Sequence, residues 1–265
     1  MERPPILLRP GEVADRAPPG RSAYFLDVDG TLLDIAPRPE DVRADPGLRT
    51  LIETLAREAG GALALVSGRA IDDLDRIFAP LVLPAAGLHG AEIRFFDGTR
   101  EAAAEVIADF ARARLRVFAA AHPGLRVEDK GAAIALHYRQ RPDLAAEALA
   151  FMEALADGPD LVVQPGKMVA ELKQAGHSKA TGIAALMAQA PCAGRAPLFA
   201  GDDLTDEAGF CYVDAHGGVS VKIGGPDVVT RARFRLESPQ ALRAELAVAA
   251  HPAAKPEAPA APSKN

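Results

Sequence analysis

The sequence predicts an α/β domain built on a parallel sheet and interrupted by a separate α+β module. Three observations lead to this prediction. Short apolar runs alternate with segments of helical periodicity towards both ends of the chain, an order typical of parallel sheets. Several of these runs end directly in serine, aspartate or glycine, as buried strands do before a turn. In the middle of the chain the alternation breaks down, because a long helical segment is followed by several short strand-like runs.

The amino-terminal half of the α/β domain has predicted strands and helices in alternation. In chain order they are a strand at 23–28, a helix at 47–59, a strand at 62–66, a helix at 70–78 and a strand near 81–84. Asp27 and Asp29 stand at the carboxyl end of the first strand, and Ser67 follows the second. Both strands therefore end in side chains that phosphate chemistry can use.

The carboxy-terminal half repeats this order, and the middle of the chain differs from both halves. A helix is predicted at 179–189 and a strand at 196–200, which ends at Gly201-Asp202-Asp203. The middle contains a predicted helix at 102–121, a strand at 131–138, a helix at 144–156 and short strands at 161–163 and 168–172. We therefore expect a flexible segment at 1–21, the α/β domain at 22–98 and 175–250, the inserted module at 99–174 and a flexible tail at 251–265.

Composition and charge favour a folded protein that acts on a small molecule. Hydrophobic residues make up 49% of the 265 residues and charged residues 25%, close to the averages for globular proteins. The formal net charge of −6 would repel nucleic-acid phosphates and anionic membrane surfaces, so we expect neither as a partner. Two cysteines are too few for a disulfide scaffold, and no stretch reaches the roughly 20 apolar residues that span a bilayer. The first residues also lack the apolar stretch of a secretory signal, so we expect a cytoplasmic protein. We also expect a monomer.

The aspartates at the strand ends predict a magnesium site. Functional sites of open α/β sheets form outside the carboxyl ends of the strands, and the aspartates that would meet there are Asp27, Asp29, Asp202 and Asp203. Such a cluster of like charges needs a cation to offset its repulsion, and Mg²⁺ prefers a few hard oxygen ligands. We predict that Asp27, Asp202 and a backbone carbonyl near Asp29 hold Mg²⁺. Asp203 would bind the metal or its waters, or would only cap the following helix.

The same residues predict a phosphatase that attacks phosphorus with a carboxylate. Asp27 is the predicted nucleophile, which would form an aspartyl-phosphate that water later hydrolyses. Asp29 would protonate the leaving oxygen and then deprotonate the attacking water. Ser67 would donate a hydrogen bond to a phosphoryl oxygen, and Lys179 would neutralise charge on the transferring group. Considered alone, Lys179 is also compatible with a solvated helix lysine, and an Asp-Gly pair such as Asp29-Gly30 is more often an ordinary turn than a catalytic motif.

Four motifs at these positions resemble those of the haloacid dehalogenase-like superfamily. They are Asp27-Val28-Asp29-Gly30-Thr31, Ser67-Gly68-Arg69, Lys179 and Gly201-Asp202-Asp203-Leu204-Thr205-Asp206. Their order and spacing both match. The resemblance implies a Rossmann-like parallel-sheet core, aspartyl-phosphate chemistry with Mg²⁺, and an inserted α+β cap domain of the second type that selects the substrate.

Further motifs resemble the trehalose-6-phosphate phosphatase family over about residues 22–245. They are Ala86-Gly87-Leu88-His89-Gly90-Ala91-Glu92, Glu128-Asp129-Lys130-Gly131, Leu136-His137-Tyr138-Arg139-Gln140 and Glu207 after Asp206. The resemblance implies trehalose 6-phosphate as substrate, with Glu128, Lys130 and Glu171 of the cap bound to the sugar hydroxyls. Arg69 is also expected to contact the substrate. Ala180 departs from the family pattern, which often has glycine after the lysine, and this puts the local helix start in question.

Other interpretations stay open at the level of the sequence. The core motifs define the chemistry better than the sugar, so another capped sugar-phosphate phosphatase or a phosphohexose mutase is an alternative. A phosphosugar-binding module without catalysis is a further alternative, which the intact Asp27 and Asp29 oppose. The mechanism needs neither His89 nor His137, and we expect both to pack or to form hydrogen bonds within the fold.

Overall fold

The computed structural model describes residues 4–36, 41–103, 107–129, 131, 133–156, 160–166, 168–226 and 229–251. The strands in these ranges are β1 (Ile6–Leu7), β2 (Ser22–Leu26), β3 (Leu63–Val66), β4 (Ala85–Gly87), β5 (Glu92–Arg94), β6 (Arg100–Ala102), β7 (Arg126–Asp129), β8 (Ala133–His137), β9 (Leu161–Gly166), β10 (Val169–Gln174), β11 (Ala196–Gly201), β12 (Val219–Ile223) and β13 (Phe234–Leu236). The helices are α1 (Glu12–Arg16), α2 (Pro46–Glu58), α3 (Ile71–Phe78), α4 (Asp109–Ala121), α5 (Ala145–Leu155), α6 (Lys179–Met187), α7 (Glu207–Ala215) and α8 (Pro239–Ala250).

Nine of these strands form one sheet, called here the large sheet, in the order β1-β13-β12-β11-β2-β3-β4-β5-β6. The pairs from β1 to β4 in this order are parallel, and β5 and β6 extend the sheet as an antiparallel hairpin. Every residue of β2 and β3 is buried. Strands that are covered on both faces have continuous apolar sequences, which is why both strands are recognisable in the sequence.

The carboxyl ends of three neighbouring strands lie side by side in the large sheet. β2 pairs with β11 on one side and with β3 on the other, and Leu26 is in register with residues near the ends of both neighbours. The polar residues that follow these strands are Asp27 after β2, Ser67 after β3 and Asp202 after β11. The topology therefore brings all three to the same edge of the sheet, as the sequence predicted.

Four antiparallel strands form a second sheet, called here the small sheet, in the order β7-β8-β10-β9. Helices α4 and α5 contact its strands. Leu115, Leu136, Met152 and Leu172 belong to an apolar cluster that is separate from the core around the large sheet. Because each sheet has its own core, the predicted α/β fold with an inserted α+β module is confirmed.

Two predicted elements near the start of the insert are wrong. The strand expected near 81–84 lies instead at β4, where it pairs with β3. The helix expected from residue 102 begins at Asp109, and residues 100–102 instead form β6 against β5. The boundary expected at residue 99 therefore falls within the β5–β6 hairpin of the large sheet. Alanine at 102 favours a helix by propensity, but pairing with β5 decides its conformation.

The amino-terminal segment is packed against the fold, contrary to the expectation that residues 1–21 bury little. β1 pairs in parallel with β13, and Val13 of α1 is fully buried. The carboxylate of Glu245 in α8 accepts hydrogen bonds from the backbone N–H groups of Gly11, at 2.8 Å, and Val13, at 3.0 Å. The prediction of a flexible segment was based on composition. Composition contains no information about a partner such as Glu245, which lies more than 200 positions away in the sequence. The tail expected from residue 251 lies, from residue 252 onwards, outside the described residues.

The helices are short. The longest in the described ranges, α2 and α4, have 13 residues each. Crossing a bilayer takes about 20 predominantly apolar residues. No helix in the described part of the chain combines the length and the apolar character needed to cross a membrane.

Candidate active site

A cavity of about 610 Å³ lies between the carboxyl edge of the large sheet and the small sheet. The large-sheet side contributes Asp27, Asp29, Ser67, Arg69, His89, Lys179, Asp202 and Asp203 to its lining. The small-sheet side contributes Glu128, His137, Gln164, Gly166, Val169 and Glu171. The volume is in the range of small-molecule sites. Every predicted site residue that the structure describes lines this cavity, and Lys130 lies outside the described residues.

Asp27 is held by hydrogen bonds on both carboxylate oxygens. It follows β2 directly, and its backbone N–H donates to the carbonyl of Ala200 in β11 at 3.0 Å. Oδ1 accepts from Lys179 Nζ at 2.8 Å, and Oδ2 accepts from Thr31 Oγ1 at 3.0 Å. The side chain is almost completely buried. The fold therefore fixes the orientation of this carboxylate before any ligand binds.

Lys179 bridges two buried carboxylates. It is the first residue of α6, which Ser178 caps by accepting from the N–H of Thr181. Besides Asp27, its Nζ donates to Oδ1 of Asp206 at 2.6 Å, and Asp206 is fully buried. Burial alone would lower the pKa of Lys179, but the carboxylates of Asp206 and Asp27 outweigh it and raise the pKa above its usual value. Lys179 therefore stays positively charged.

The carboxylates of Asp27, Asp202 and Asp206 form a cluster that fits a divalent metal ion. One oxygen from each lies within 4.8 Å of the others. Burial, with a contribution from Asp206, raises the pKa of Asp202 to about 6. Burial also raises the pKa of Asp27 well above its usual range; Lys179 opposes this shift, and Asp206 and Asp202 add to it. A bound cation would relieve the repulsion among these three carboxylates. Hard carboxylate oxygens are also the ligands that Mg²⁺ prefers.

Within this cluster, Asp27 and Asp202 are better placed than Asp206 to bind a metal directly. Asp27 and Asp202 line the cavity, whereas Asp206 does not. Asp206 is fully buried, and its oxygens accept hydrogen bonds from Lys179 and from the backbone N–H of Asp203, the latter at 2.9 Å. The ammonium group of Lys222 donates to the backbone carbonyl of Asp202 at 2.5 Å and holds that segment in place. Asp206 therefore serves mainly to orient Lys179 and the turn that carries Asp202.

The carboxylates of the two other predicted metal residues have different partners. The two oxygens of Asp29 accept from Nε and Nη2 of Arg69, at 2.5 Å and 2.7 Å. Oδ1 of Asp203 accepts from the N–H of Leu204 at 2.7 Å, at the start of the turn Leu204–Asp206. The proposed ligand near Asp29 is a backbone carbonyl, so the pairing with Arg69 leaves that prediction unchanged.

Ser67 and Arg69 lie together after β3. Ser67 is buried, and its Oγ accepts from the backbone N–H of Arg69 at 3.2 Å. The Arg69 guanidinium is paired with Asp29, and this pairing outweighs the effect of burial and raises its pKa. Arg69 therefore contacts the predicted acid–base residue and also lines the cavity.

Two glutamates on the small sheet line the cavity, and each forms a hydrogen bond with a histidine. Oε2 of Glu128 lies 2.7 Å from Nε2 of His137, and Oε2 of Glu171 lies 2.7 Å from Nε2 of His89. Both histidines form hydrogen bonds within the fold, as expected. No pattern in the sequence indicated, however, that their partners would be the two predicted sugar-binding carboxylates.

Solved structures of other proteins share this arrangement of sheets. The C-terminal domain of Candida albicans trehalose-6-phosphate phosphatase superimposes with a TM-score of 0.81 at 22% identity, covering 94% of this chain and 98% of that one. A phosphatase of the haloalkanoate enzyme superfamily from Bacteroides thetaiotaomicron gives a TM-score of 0.60 at 16% identity over 86% of this chain and 94% of that one. The chain therefore shares its fold, a parallel-sheet core with an inserted α+β cap that contains the small sheet, with phosphatases of the haloalkanoate enzyme superfamily.

Sequence comparison gives the family within this class. The trehalose-phosphatase family model matches residues 25–240. A probable trehalose-phosphate phosphatase of Sinorhizobium fredii is 45% identical over 232 residues, which are 86% of this chain and 87% of that protein. Trehalose-6-phosphate phosphatase of Escherichia coli is 42% identical over 217 residues, 81% of each chain. The chain belongs to the trehalose-phosphatase family, and the resemblance seen in its motifs is confirmed.

Proposed function

We propose that this protein hydrolyses trehalose 6-phosphate to trehalose and inorganic phosphate. Membership of the trehalose-phosphatase family supports this substrate. The observation that carries the proposal is a single cavity with Asp27 and Lys179 on one side and Glu128 and Glu171 on the other. One side suits a phosphate group, and the other suits the hydroxyl groups of a sugar.

In the proposed reaction, Asp27 is the nucleophile. A carboxylate oxygen of Asp27 forms a bond to phosphorus while the bond from phosphorus to the sugar oxygen breaks. Asp29 supplies the proton that the departing sugar oxygen takes up, and later accepts a proton from the water that hydrolyses the aspartyl-phosphate. Thr31 and Lys179 orient Asp27 through the hydrogen bonds at its two oxygens. In this reaction Asp29 turns from Arg69 towards the leaving oxygen, and Arg69, which also lines the cavity, contacts the substrate.

Charge on the transferring group is offset by residues around Asp27. Lys179 carries a positive charge there, and Ser67 can turn its hydroxyl hydrogen towards a phosphoryl oxygen. Asp27, Asp202 and a backbone carbonyl near Asp29 would hold Mg²⁺, with Asp203 close to its waters. The chemistry that bound Mg²⁺ supplies is neutralisation of negative charge on the phosphoryl oxygens.

A panel of substrates tests the proposal. With Mg²⁺, kcat/KM for trehalose 6-phosphate should exceed that for sucrose, glucose and mannose phosphates by about 100-fold or more, because buried polar groups penalise a sugar that leaves them unpaired. Asp27→Asn should stay folded and show less than about one ten-thousandth of wild-type turnover, because an amide is a very poor nucleophile. Equal rates on all the sugars would contradict the substrate, and turnover by folded Asp27→Asn would contradict the mechanism.

A further inference from the structure

His89 lies at a conformationally unusual position next to the phosphate side of the cavity. Leu88 and His89 have φ angles of 47° and 56°, in the left-handed region that residues other than glycine seldom adopt. Residues in this region are strained, and they persist only when their surroundings enforce the conformation. The N–H of Leu88 donates to the carbonyl of Arg69 at 2.9 Å, and the N–H of His89 donates to the carbonyl of Ser67 at 3.0 Å. The backbone of His89 is therefore anchored to the loop that carries Ser67.

The ring of His89 is positioned by the same loop. It lies over Gly68, where a Cβ would be 2.7 Å from ring atoms Cε1 and Nε2. A side chain at position 68 would therefore displace the ring. Behind His89, a Cβ on Gly90 would be 2.5 Å from the carbonyl oxygen of Ser178, just before α6. The segment is thus packed between the Ser67 loop and the start of the helix that carries Lys179.

From this position, His89 reaches across to the small sheet. Its Nε2 lies 2.7 Å from Oε2 of Glu171, and both side chains are only 8% exposed. Glu171 is in the middle of β10, in register with Ala135 of β8 and Gln164 of β9. Its backbone position is thus fixed by the small sheet, and its carboxylate is bonded to a residue of the large-sheet domain.

The tautomer of His89 follows from the surroundings of its two ring nitrogens. Nδ1 of His89 is buried and has no hydrogen-bond partner among the described residues. Burial lowers the pKa of His89, although Glu171 opposes this shift. Because Nε2 faces a carboxylate and Nδ1 has no partner, the geometry favours the tautomer with its proton on Nε2, which donates a hydrogen bond to Glu171. A protonated ring would carry a second N–H at Nδ1, and the described residues offer no acceptor for it.

We propose that His89 is a positioning residue that sets substrate specificity, because it holds the Glu171 carboxylate at a defined distance from the phosphate side of the cavity. This inference rests on the proposed function, since it concerns how the sugar side of the same site is aligned. A substrate then reacts well only if its hydroxyl groups meet Glu171 when its phosphate lies at Ser67 and Asp27. A small phosphate ester without such hydroxyls does not use this alignment.

Substitutions at position 89 test the proposal. Asparagine tolerates the left-handed conformation but is too short to place a donor where Nε2 lies, whereas glutamine carries a donor near that position. In His89→Asn, the ratio of kcat/KM for trehalose 6-phosphate to that for para-nitrophenyl phosphate should fall about 10- to 100-fold, as for loss of a hydrogen bond to a charged group. His89→Gln should recover a large part of this ratio. His122→Asn is the matched control: His122 lies 3.3 Å from Glu147, outside the cavity, and its loss should leave the ratio unchanged.

A double-mutant cycle separates positioning from a general structural role. If His89 acts through Glu171, the ratio for His89→Asn/Glu171→Ala should equal that for Glu171→Ala alone. Additive losses, or equal losses on both substrates in a folded protein, would overturn the proposal. Should wild-type protein prefer another phosphate ester, the proposed function fails, and the same cycle on that ester still tests the coupling between His89 and Glu171.

Discussion

The aspartates of this site have the same side chain, but their roles differ because their hydrogen-bond partners differ. Asp27 is bonded to Lys179 and Thr31, and Asp206 has both oxygens committed to groups of the fold. Asp29 faces Arg69, whereas Asp203 caps a turn. A carboxylate that lines the cavity can bind a metal, and one enclosed by donors of the fold can only orient its neighbours. The role of each aspartate therefore follows from its contacts.

Gly30 illustrates how closely these carboxylates approach the backbone. Its φ is +78°, and a Cβ would lie 2.1 Å from Oδ2 of Asp202. Gly30→Ala should therefore displace Asp202 and lower kcat/KM by at least about 100-fold, with a higher Mg²⁺ concentration needed for half-maximal activity. A Mg²⁺ titration of steady-state activity measures both effects.

Gly98→Ala is the control for this substitution. Gly98 has a similar φ of +87°, but a Cβ there would meet nothing within 4 Å. Both variants carry the backbone cost of a left-handed alanine, roughly 1–2 kcal/mol, and only one has the clash. Activity should therefore be retained in Gly98→Ala. Equal activity in the two folded variants would show that Asp202 tolerates the displacement.

At the scale of elements, α8 and the amino-terminal segment stabilise each other. The first backbone N–H groups of a helix have no partner within the helix, and in α1 the carboxylate of Glu245 satisfies the N–H groups of Gly11 and Val13. Val13 is fully buried beside them. A short helix that would be unstable alone is thus fixed by a side chain from the opposite end of the chain.

Glu245→Ala should reduce the free energy of unfolding by about 2–4 kcal/mol, because it removes two hydrogen bonds to a buried carboxylate. Steady-state kinetics should be unchanged, since Glu245 does not line the cavity. Denaturant unfolding and initial rates measure the two effects. Glu237→Ala, at an exposed glutamate just before α8, should change stability by less than about 0.5 kcal/mol. A similar small change for Glu245→Ala would mean that the amino-terminal segment contributes little to stability.

At the scale of the whole molecule, the cavity depends on both sheets. The large sheet supplies the aspartates and Lys179, and the small sheet, with its own apolar core, supplies Glu128 and Glu171. Neither sheet alone encloses the cavity. A sugar phosphate that spans it would meet residues of both at once, so recognition and chemistry can be coupled through the position of the small sheet.

Magnesium should stabilise the folded protein as well as support turnover. A ligand that binds only the folded state at 100 times its Kd adds about 2.7 kcal/mol to the free energy of unfolding. Chelator-treated protein should therefore lose activity, and Mg²⁺ should restore activity and raise Tm more than NaCl of equal ionic strength does. Ca²⁺, which prefers more ligands and looser geometry, should support turnover poorly.

The variant Asp202→Ala tests which residues bind Mg²⁺ in this experiment. The variant should lose most of the Mg²⁺-dependent rise in Tm, because one of the two best-placed carboxylates is gone. A wild-type Tm that responds to Mg²⁺ and NaCl alike would argue against a metal site at this edge of the sheet. An Asp202→Ala protein that responds like wild type would place the metal on other residues.

Much of the site could be predicted from the sequence because its signals are local. The apolar run before Asp27 and the run before Ser67 mark buried strands, and the polar residue after each marks its end. Asp202 follows β11 in the same way. Parallel strands bring their carboxyl ends to one edge, so the cluster could be expected from the order of the elements. The family resemblance of these motifs was confirmed by comparison over residues 25–240.

By itself, then, the sequence determined the class of fold, the order of most elements and the edge at which the aspartates meet, since burial and strand ends are encoded by neighbouring residues. Only the tertiary structure decided the partners of these residues. His89 and Glu171 are 82 positions apart, and Glu245 and Gly11 are 234 apart. Apolar periodicity shows which face of a helix or strand is buried, but it does not show which polar groups pack against that face. Which side chains meet is decided by the packing of sheets and helices, and this packing pairs Glu171 with a histidine and places β6 in the large sheet.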